Sequence, residues 1–143
     1  MDMRLKFLSS SMKAIDFAML STLSQDGAFA SRPMSNNGDV DDHGDSYFFT
    51  DEQARTVADI ERSPQVGLTF TGAPGPGGQP PLFIAVSGQA ELVRDRSAFA
   101  AHWNPGLDYW FQQGIDTPGI VMIRVRAARI HYWAGGEQGE IVL

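Results

Sequence analysis

The chain has 143 residues, enough for one domain with an ordinary hydrophobic core and no covalent staples. It has no cysteine, which excludes disulfides, iron–sulfur clusters, thiolate zinc sites and cysteine nucleophiles. Its formal net charge of -6 opposes nucleic acid and anionic membrane surfaces, so an anionic ligand would need a local basic pocket.

The N-terminal residues Met1 to Lys6 lack the long apolar core of a secretory signal, and no apolar run is long enough to span a bilayer. A cytoplasmic location is the resulting expectation. Leu5, Leu8 and Met12 recur at helical spacing, which predicts a short helix over residues 3–13 that packs as a lid on a barrel end. Asp16 to Ser24 is the first strand. Its hydrophobic positions are nearly continuous, so both faces are expected to be covered. Asp26-Gly27 is a strong hairpin signal, and Ala28 to Met34 returns as the second strand. Pro33 cannot donate to a ladder, which places it at a strand edge or end with free backbone groups nearby.

An acidic, glycine-containing loop, Ser35 to Asp45, leads into the aromatic strand Ser46 to Thr50 and a helix from about Asp51 to Arg62. Thr50 or Asp51 is the expected N-cap, with Asp51 and Glu52 favoured by the helix dipole. A strand running into a helix start gathers backbone donors and partial positive charge. Thr50, Arg55 and Thr56 at this turn are therefore candidate phosphate ligands. Ser63-Pro64 stops the helix, and Gln65 to Thr71 alternates as a half-buried strand. A glycine- and proline-rich linker, Gly72 to Pro81, precedes a long strand, Leu82 to Arg94, in which Gly88 marks a bulge or close approach. Two helices are expected at Asp95 to Trp103 and Leu107 to Gln113. The last long strand is Ile120 to Trp133, then a polar tail. Six strands with short interspersed helices predict a mainly β single domain over residues 1–143, a six-stranded antiparallel barrel.

Other motifs carry less chemistry. The loop Asp39 to Asp45 has alternating oxygen ligands and a glycine like a calcium loop, but Thr50 stands where the bidentate glutamate belongs, so no metal site is expected. His43, His102 and His131 have no ligand partner at metal spacing and no hydrolase context, so no catalytic residue is assigned. The Gly72 to Pro81 stretch lacks the Lys-Ser/Thr of a P-loop. Trp103, Trp110 and Trp133, with Tyr109, Phe111 and Tyr132, suit core or interface packing, although Trp133 at a strand end also suits a flat ligand. Arg32 and Arg55 each read as ordinary surface arginines or as cations for an anion; together, in an acidic chain, they favour the anion.

Taken in order, Arg32-Pro33-Met34, Phe48-Phe49-Thr50 with Arg55 five residues on, Ser63-Pro64-Gln65-Val66, Ser87-Gly88-Gln89-Ala90-Glu91 and Tyr132-Trp133-Ala134-Gly135-Gly136 resemble a known pattern. It is that of the pyridoxamine 5′-phosphate oxidase-like, FMN-binding split-barrel proteins, in their general stress protein branch. The resemblance implies a homodimer holding FMN, or alternatively FAD, at the subunit interface; charge, hydropathy and the mismatched calcium loop leave no metal, membrane or nucleic-acid partner expected. It implies that Arg32, Pro33, Met34 and Ser35 follow the isoalloxazine edge, largely through backbone groups. Phe49 and Thr50 would follow the ribityl chain, and Arg55 and Thr56 would meet the phosphate. Trp133, with Trp110, would reach the flavin from the other subunit. Two departures accompany it: Ala54 and Thr56 stand where the family commonly carries Ser and Lys, and Glu137 to Leu143 lacks the Arg-Leu-His substrate motif of the true oxidases. The expected function is that of a flavin-dependent redox protein. A non-catalytic flavin-binding protein is the alternative, and vitamin B6 oxidation is disfavoured.

Overall fold

A computed structural model describes residues 2–143. The first helix, α1 (Met3–Ile15), is capped by Asp2, whose side chain accepts from the Arg4 N–H. Leu5, Leu8 and Met12 are buried in the main core, as the helical spacing predicts. Seven antiparallel strands follow: β1 (Phe17–Leu23), β2 (Phe29–Ser35), β3 (Ser46–Asp51), β4 (Gln65–Thr71), β5 (Phe83–Val93), β6 (Ile120–Ala134) and β7 (Glu137–Val142). Helices α2 (Arg55–Arg62) and α3 (Arg96–His102) lie between them. No helix among the described residues is long and apolar enough to cross a membrane.

The sheet order is β2-β1-β4-β5-β6-β3, with β7 added to β6 off that path. The sheet curls into a split barrel. Leu20, Leu68, Phe70, Ile84, Ile123, Val125 and Ile130 fill its interior beneath α1. A second, smaller core lies where Tyr47, Phe49 and Met122 meet Phe99 and Leu107. Strands β3 and β6 thus bury both faces, which is why Val121, Met122 and Ile123 are all buried in sequence.

The hairpin at Asp26-Gly27 forms as expected, with Gly27 at φ 83°. Gly88 is a bulge: the β5–β6 register shifts between Ser87 and Gly88, and a Cβ on Gly88 would lie 2.0 Å from the Arg126 carbonyl oxygen. That approach admits only glycine.

Four expectations need correction. The polar tail is a strand, β7, which buries Ile141 and pairs along β6. The second helix starts at Arg55, with Ala54 as an N-cap that offers no side-chain bond. Asp51 belongs to β3, where it pairs with Ile120, and its carboxylate accepts from the Gln53 N–H in the following turn. The sheet ladder wins over the acidic helix-start signal, so α2 has no acidic residue in its first turn. Leu107 to Gln113 is not a helix; Pro105–Tyr109 and Gly114–Asp116 are separate 3₁₀ turns, as glycine and proline on either side leave no room for α-helical turns. Finally, β1 is covered on one face only: Phe17 and Met19 on the outer face are exposed.

Candidate functional site

Strands β2 and β3 are the two ends of the sheet path, and each pairs with a single neighbour along its length. Curling brings these two open edges to one cavity of about 310 Å³. Pro33, Met34 and Ser35 of β2 face Phe49, Thr50 and Asp51 of β3 across it, and Trp110 closes one side. Unpaired edge groups are a demand for hydrogen-bonding partners. Phe17, Phe49, Trp110 and Phe111 give the cavity four aromatic walls. A flat ring with polar atoms on its rim answers both features.

The polar side chains here are fixed by their neighbours. The Ser35 hydroxyl donates to Asp16 Oδ1 at 2.6 Å, and the Asn37 N–H donates to the same oxygen at 2.9 Å. Asn37 sits at φ 51°, a left-handed conformation that asparagine tolerates. Phe17, Asn37, Leu107 and Phe111 line the cavity without having been assigned to it from sequence. The Asn36-Asn37-Gly38 turn chemistry was a usable signal for Asn37; nothing local marked Phe17 or Leu107.

The remaining candidates lie elsewhere. Arg55 is exposed as the first residue of α2. It borders an open depression of about 540 Å³ beside the β1–β2 hairpin, with Ser24, Asp26 and Phe29. Among the described residues, every arginine except Arg55 has a carboxylate oxygen within 4.0 Å. Thr56, the next residue, is buried.

Arg32 points away from the cavity. Its guanidinium donates to the Leu20 carbonyl at 3.2 Å and to the Thr22 hydroxyl at 2.9 Å, and lies 3.7 Å from Asp59. Burial lowers its pKa, and the nearby Arg55 charge adds to that, against the opposing pull of Asp59. Asp59 is only 2% exposed. It accepts from Thr22 at 2.8 Å and from Arg62 at 2.9 Å. Burial pushes the Asp59 carboxyl up, but these two bonds and the charges of Arg62 and Arg32 outweigh it, holding the group below the usual carboxylate range. This network locks α2 to β1 and β2. Trp133 stands on the outer face of the sheet, stacked on His131 at 4.2 Å, and borders a separate depression of about 480 Å³ with Phe83 and Thr71. Within one chain it does not meet the edge-strand cavity.

The family model described as "Pyridoxamine 5'-phosphate oxidase like" matches residues 4–143. The chain belongs to this family. Solved structures similar to this pyridoxamine 5′-phosphate oxidase-like chain include a protein from Clostridium acetobutylicum related to general stress protein 26 of B. subtilis, with a TM-score of 0.82 and 17% identity, covering 100% of this chain and 97% of that one. General stress protein 26 from Bacillus anthracis matches at TM-score 0.72 and 24% identity, over 95% of this chain and 98% of its own. A general stress FMN/FAD binding protein from Xanthomonas citri matches at TM-score 0.75 and 23% identity, over 95% and 92%. No curated protein matches the chain.

Proposed function

We propose that this protein binds FMN, with the isoalloxazine ring between the β2 and β3 edges and the phosphate turned towards Arg55. The observation that carries the reading is the pairing of an aromatic cavity, walled by two open strand edges, with the one arginine that has no carboxylate partner among the described residues. The cavity is at the small end of ligand sites, so it suits the ring alone and leaves the ribityl phosphate to run out along β2 and the start of α2. Pro33, Met34 and Ser35 would meet the ring, Phe49 and Thr50 the chain, and Arg55 the phosphate. The family, and a structural relative described as FMN/FAD binding, support flavin.

Bound flavin supplies electron and hydride transfer, while the protein orients and shields it. Among the described residues, Asp51 is the sole ionisable side chain lining the cavity, and no histidine or lysine lines it. The protein's part is accordingly to bind the ring, exclude water with Trp110 and Phe111, and leave proton exchange to solvent. We read it as a redox protein of the general stress type. A second copy of the chain completes the arrangement: Phe17, Met19, Phe83 and Trp133 form an exposed apolar outer face, and exposed apolar patches of this kind mark interfaces. Pairing there would carry Trp133 to the partner's flavin.

The test is the visible absorbance of the purified protein, followed by release and identification of the chromophore. Flavin absorbance and released FMN are expected. A colourless protein that takes up no added FMN overturns the reading. Reduction of the bound flavin by NADH or NADPH separates a redox protein from a flavin carrier.

A further inference from the structure

The segment from Trp103 to Gly119 carries half of the cavity's aromatic wall, yet Leu107 is its one buried residue. It contributes Leu107, Trp110 and Phe111, and leaves Trp110 and Tyr109 exposed. Long irregular segments with few buried anchors open at low free-energy cost. Along its length it is held by Trp103 packed edge-on against Phe49 and Phe111, by an Arg96–Asp116 ion pair and by the Glu52 N–H donating to the Gly119 carbonyl, and at its start by a polar set of contacts. His102 Nδ1 lies 2.8 Å from Asp39 Oδ2, and the Asn104 amide donates to the Asn37 carbonyl at 3.1 Å. Gly106 presses on the same residue: a Cβ there would lie 2.9 Å from Asn37 Oδ1. Asn37 itself lines the cavity, so the fastening and the cavity share a residue.

We propose that residues 103–119 form a lid over the flavin cavity, latched by the His102–Asp39 pair and loosened when His102 loses its proton. The imidazole is held flat against Tyr47, with ring centres 4.1 Å apart and planes 23° apart, so its Nδ1 stays aimed at Asp39. Tyr47 is fixed in turn by donating to Asp41 at 3.0 Å and by the Arg124 guanidinium 6.0 Å from its ring centre. The charged groups around the pair are Asp41 of the loop before β3, Asp45 bonded to Arg124 of β6, and Lys13 of α1, whose field reaches Asp39. A depression of about 360 Å³, lined by Asp39, His102, Trp103 and Asn104, gives the ring access to solvent protons. Charge-assisted hydrogen bonds are roughly twice as strong as neutral ones. The latch is therefore tight when His102 is charged and weaker, though not absent, when it is neutral.

What the lid covers rests on the flavin reading; the latch does not. The experiment is limited proteolysis of the flavin-free protein, scored as cleavage within residues 103–119 relative to cleavage in the Gly72 to Pro81 loop. Between about pH 6 and about pH 8, the range over which histidine changes charge, the ratio should rise about threefold or more. His102→Gln keeps a donor for Asp39 without titrating, so its ratio should not change with pH. His102→Ala should give a high ratio at both pH values, and melting curves confirm that the variants are folded. A flat ratio in the unaltered protein, or the same slope in His102→Gln, overturns the latch. With FMN bound, the rate of flavin release should follow the same pH trend. A pH-dependent ratio in a protein that takes up no FMN keeps the latch and rejects the flavin. Flavin release without pH dependence keeps the flavin and rejects the lid.

Discussion

Arg55 owes its freedom to the turn before it. Because β3 runs on through Asp51, the acidic pair Asp51 and Glu52 lies outside the helix, and Glu52 is bound to Arg94. Neither carboxylate neutralises Arg55, which enters α2 as its first residue. Arg55→Ala should weaken FMN binding by about tenfold, from loss of one charged hydrogen bond worth about 1.5–3 kcal/mol. Fluorescence titration against unaltered thermal melting checks it, and unchanged affinity removes the phosphate from this spot. Asp59, by contrast, is structural chemistry one turn further on. Its folded carboxyl lies below its ordinary value of 3.8, so it contributes stability above that value and loses it as pH falls through the lower, folded one. Asp59→Asn should cost about 1.5–3 kcal/mol at neutral pH, since a charged acceptor of Thr22 and Arg62 is lost. The cost should shrink in acid only once pH falls below that lower, folded value, where the native carboxyl also becomes neutral. Urea unfolding at the two pH values measures the difference.

At the scale of elements, the sheet was legible wherever local chemistry dictated it. Asp26-Gly27 announced the first hairpin, Pro33 the edge character of β2, and Gly88 the bulge. Gly88→Ala should therefore destabilise the fold by about 3 kcal/mol, because the added methyl overlaps the Arg126 carbonyl and must push β5 from β6. Chemical denaturation gives the value. Elements fixed at long range were not legible. Strand β7 buries Ile141 and leaves Glu137, Gln138 and Val142 exposed, so its pattern is that of a polar tail until β6 supplies a partner. The Thr22–Asp59 bond spans 37 positions, and no spacing rule connects them. The cavity was legible in part: β2 and β3 carry the motif residues, but the wall from Phe17 and Leu107 exists only once the sheet curls. Strand β3 also holds an alkaline signature. Burial, with the hydrogen bond to Asp41, pushes the Tyr47 hydroxyl up to about 12 from an ordinary 10.0. A raised folded value means that this contribution is complete below pH 10.0 and lost as pH climbs towards about 12. Melting temperatures across that window should fall less steeply in Tyr47→Phe.

At the scale of the whole molecule, the pleat decides which residues a second copy would meet. Cross-strand partners share a face of the sheet. Met19 pairs with both Pro33 and Thr69, Thr69 with Ala85, Thr71 with Phe83, and Phe83 with Trp133. One continuous outer face therefore runs from the cavity wall at Pro33 and Phe17 to Trp133. Its apolar members sit in the same register positions that would be solvent-facing and polar in a sheet with one wet side. Met19→Asp with Phe83→Asp places two carboxylates at the centre of that face and touches neither the interior core nor Arg55. In sedimentation velocity the unaltered protein should run as a dimer and the double variant as a monomer with its fold intact by circular dichroism. Because Trp133 would serve the partner's cavity, the monomer should also bind FMN more weakly, by up to about tenfold if one stacked aromatic worth roughly 0.5–1.5 kcal/mol is lost. A monomer that keeps full affinity would confine the flavin site to one chain, and an unaltered protein that sediments as a monomer would leave the apolar face without a second copy to cover it.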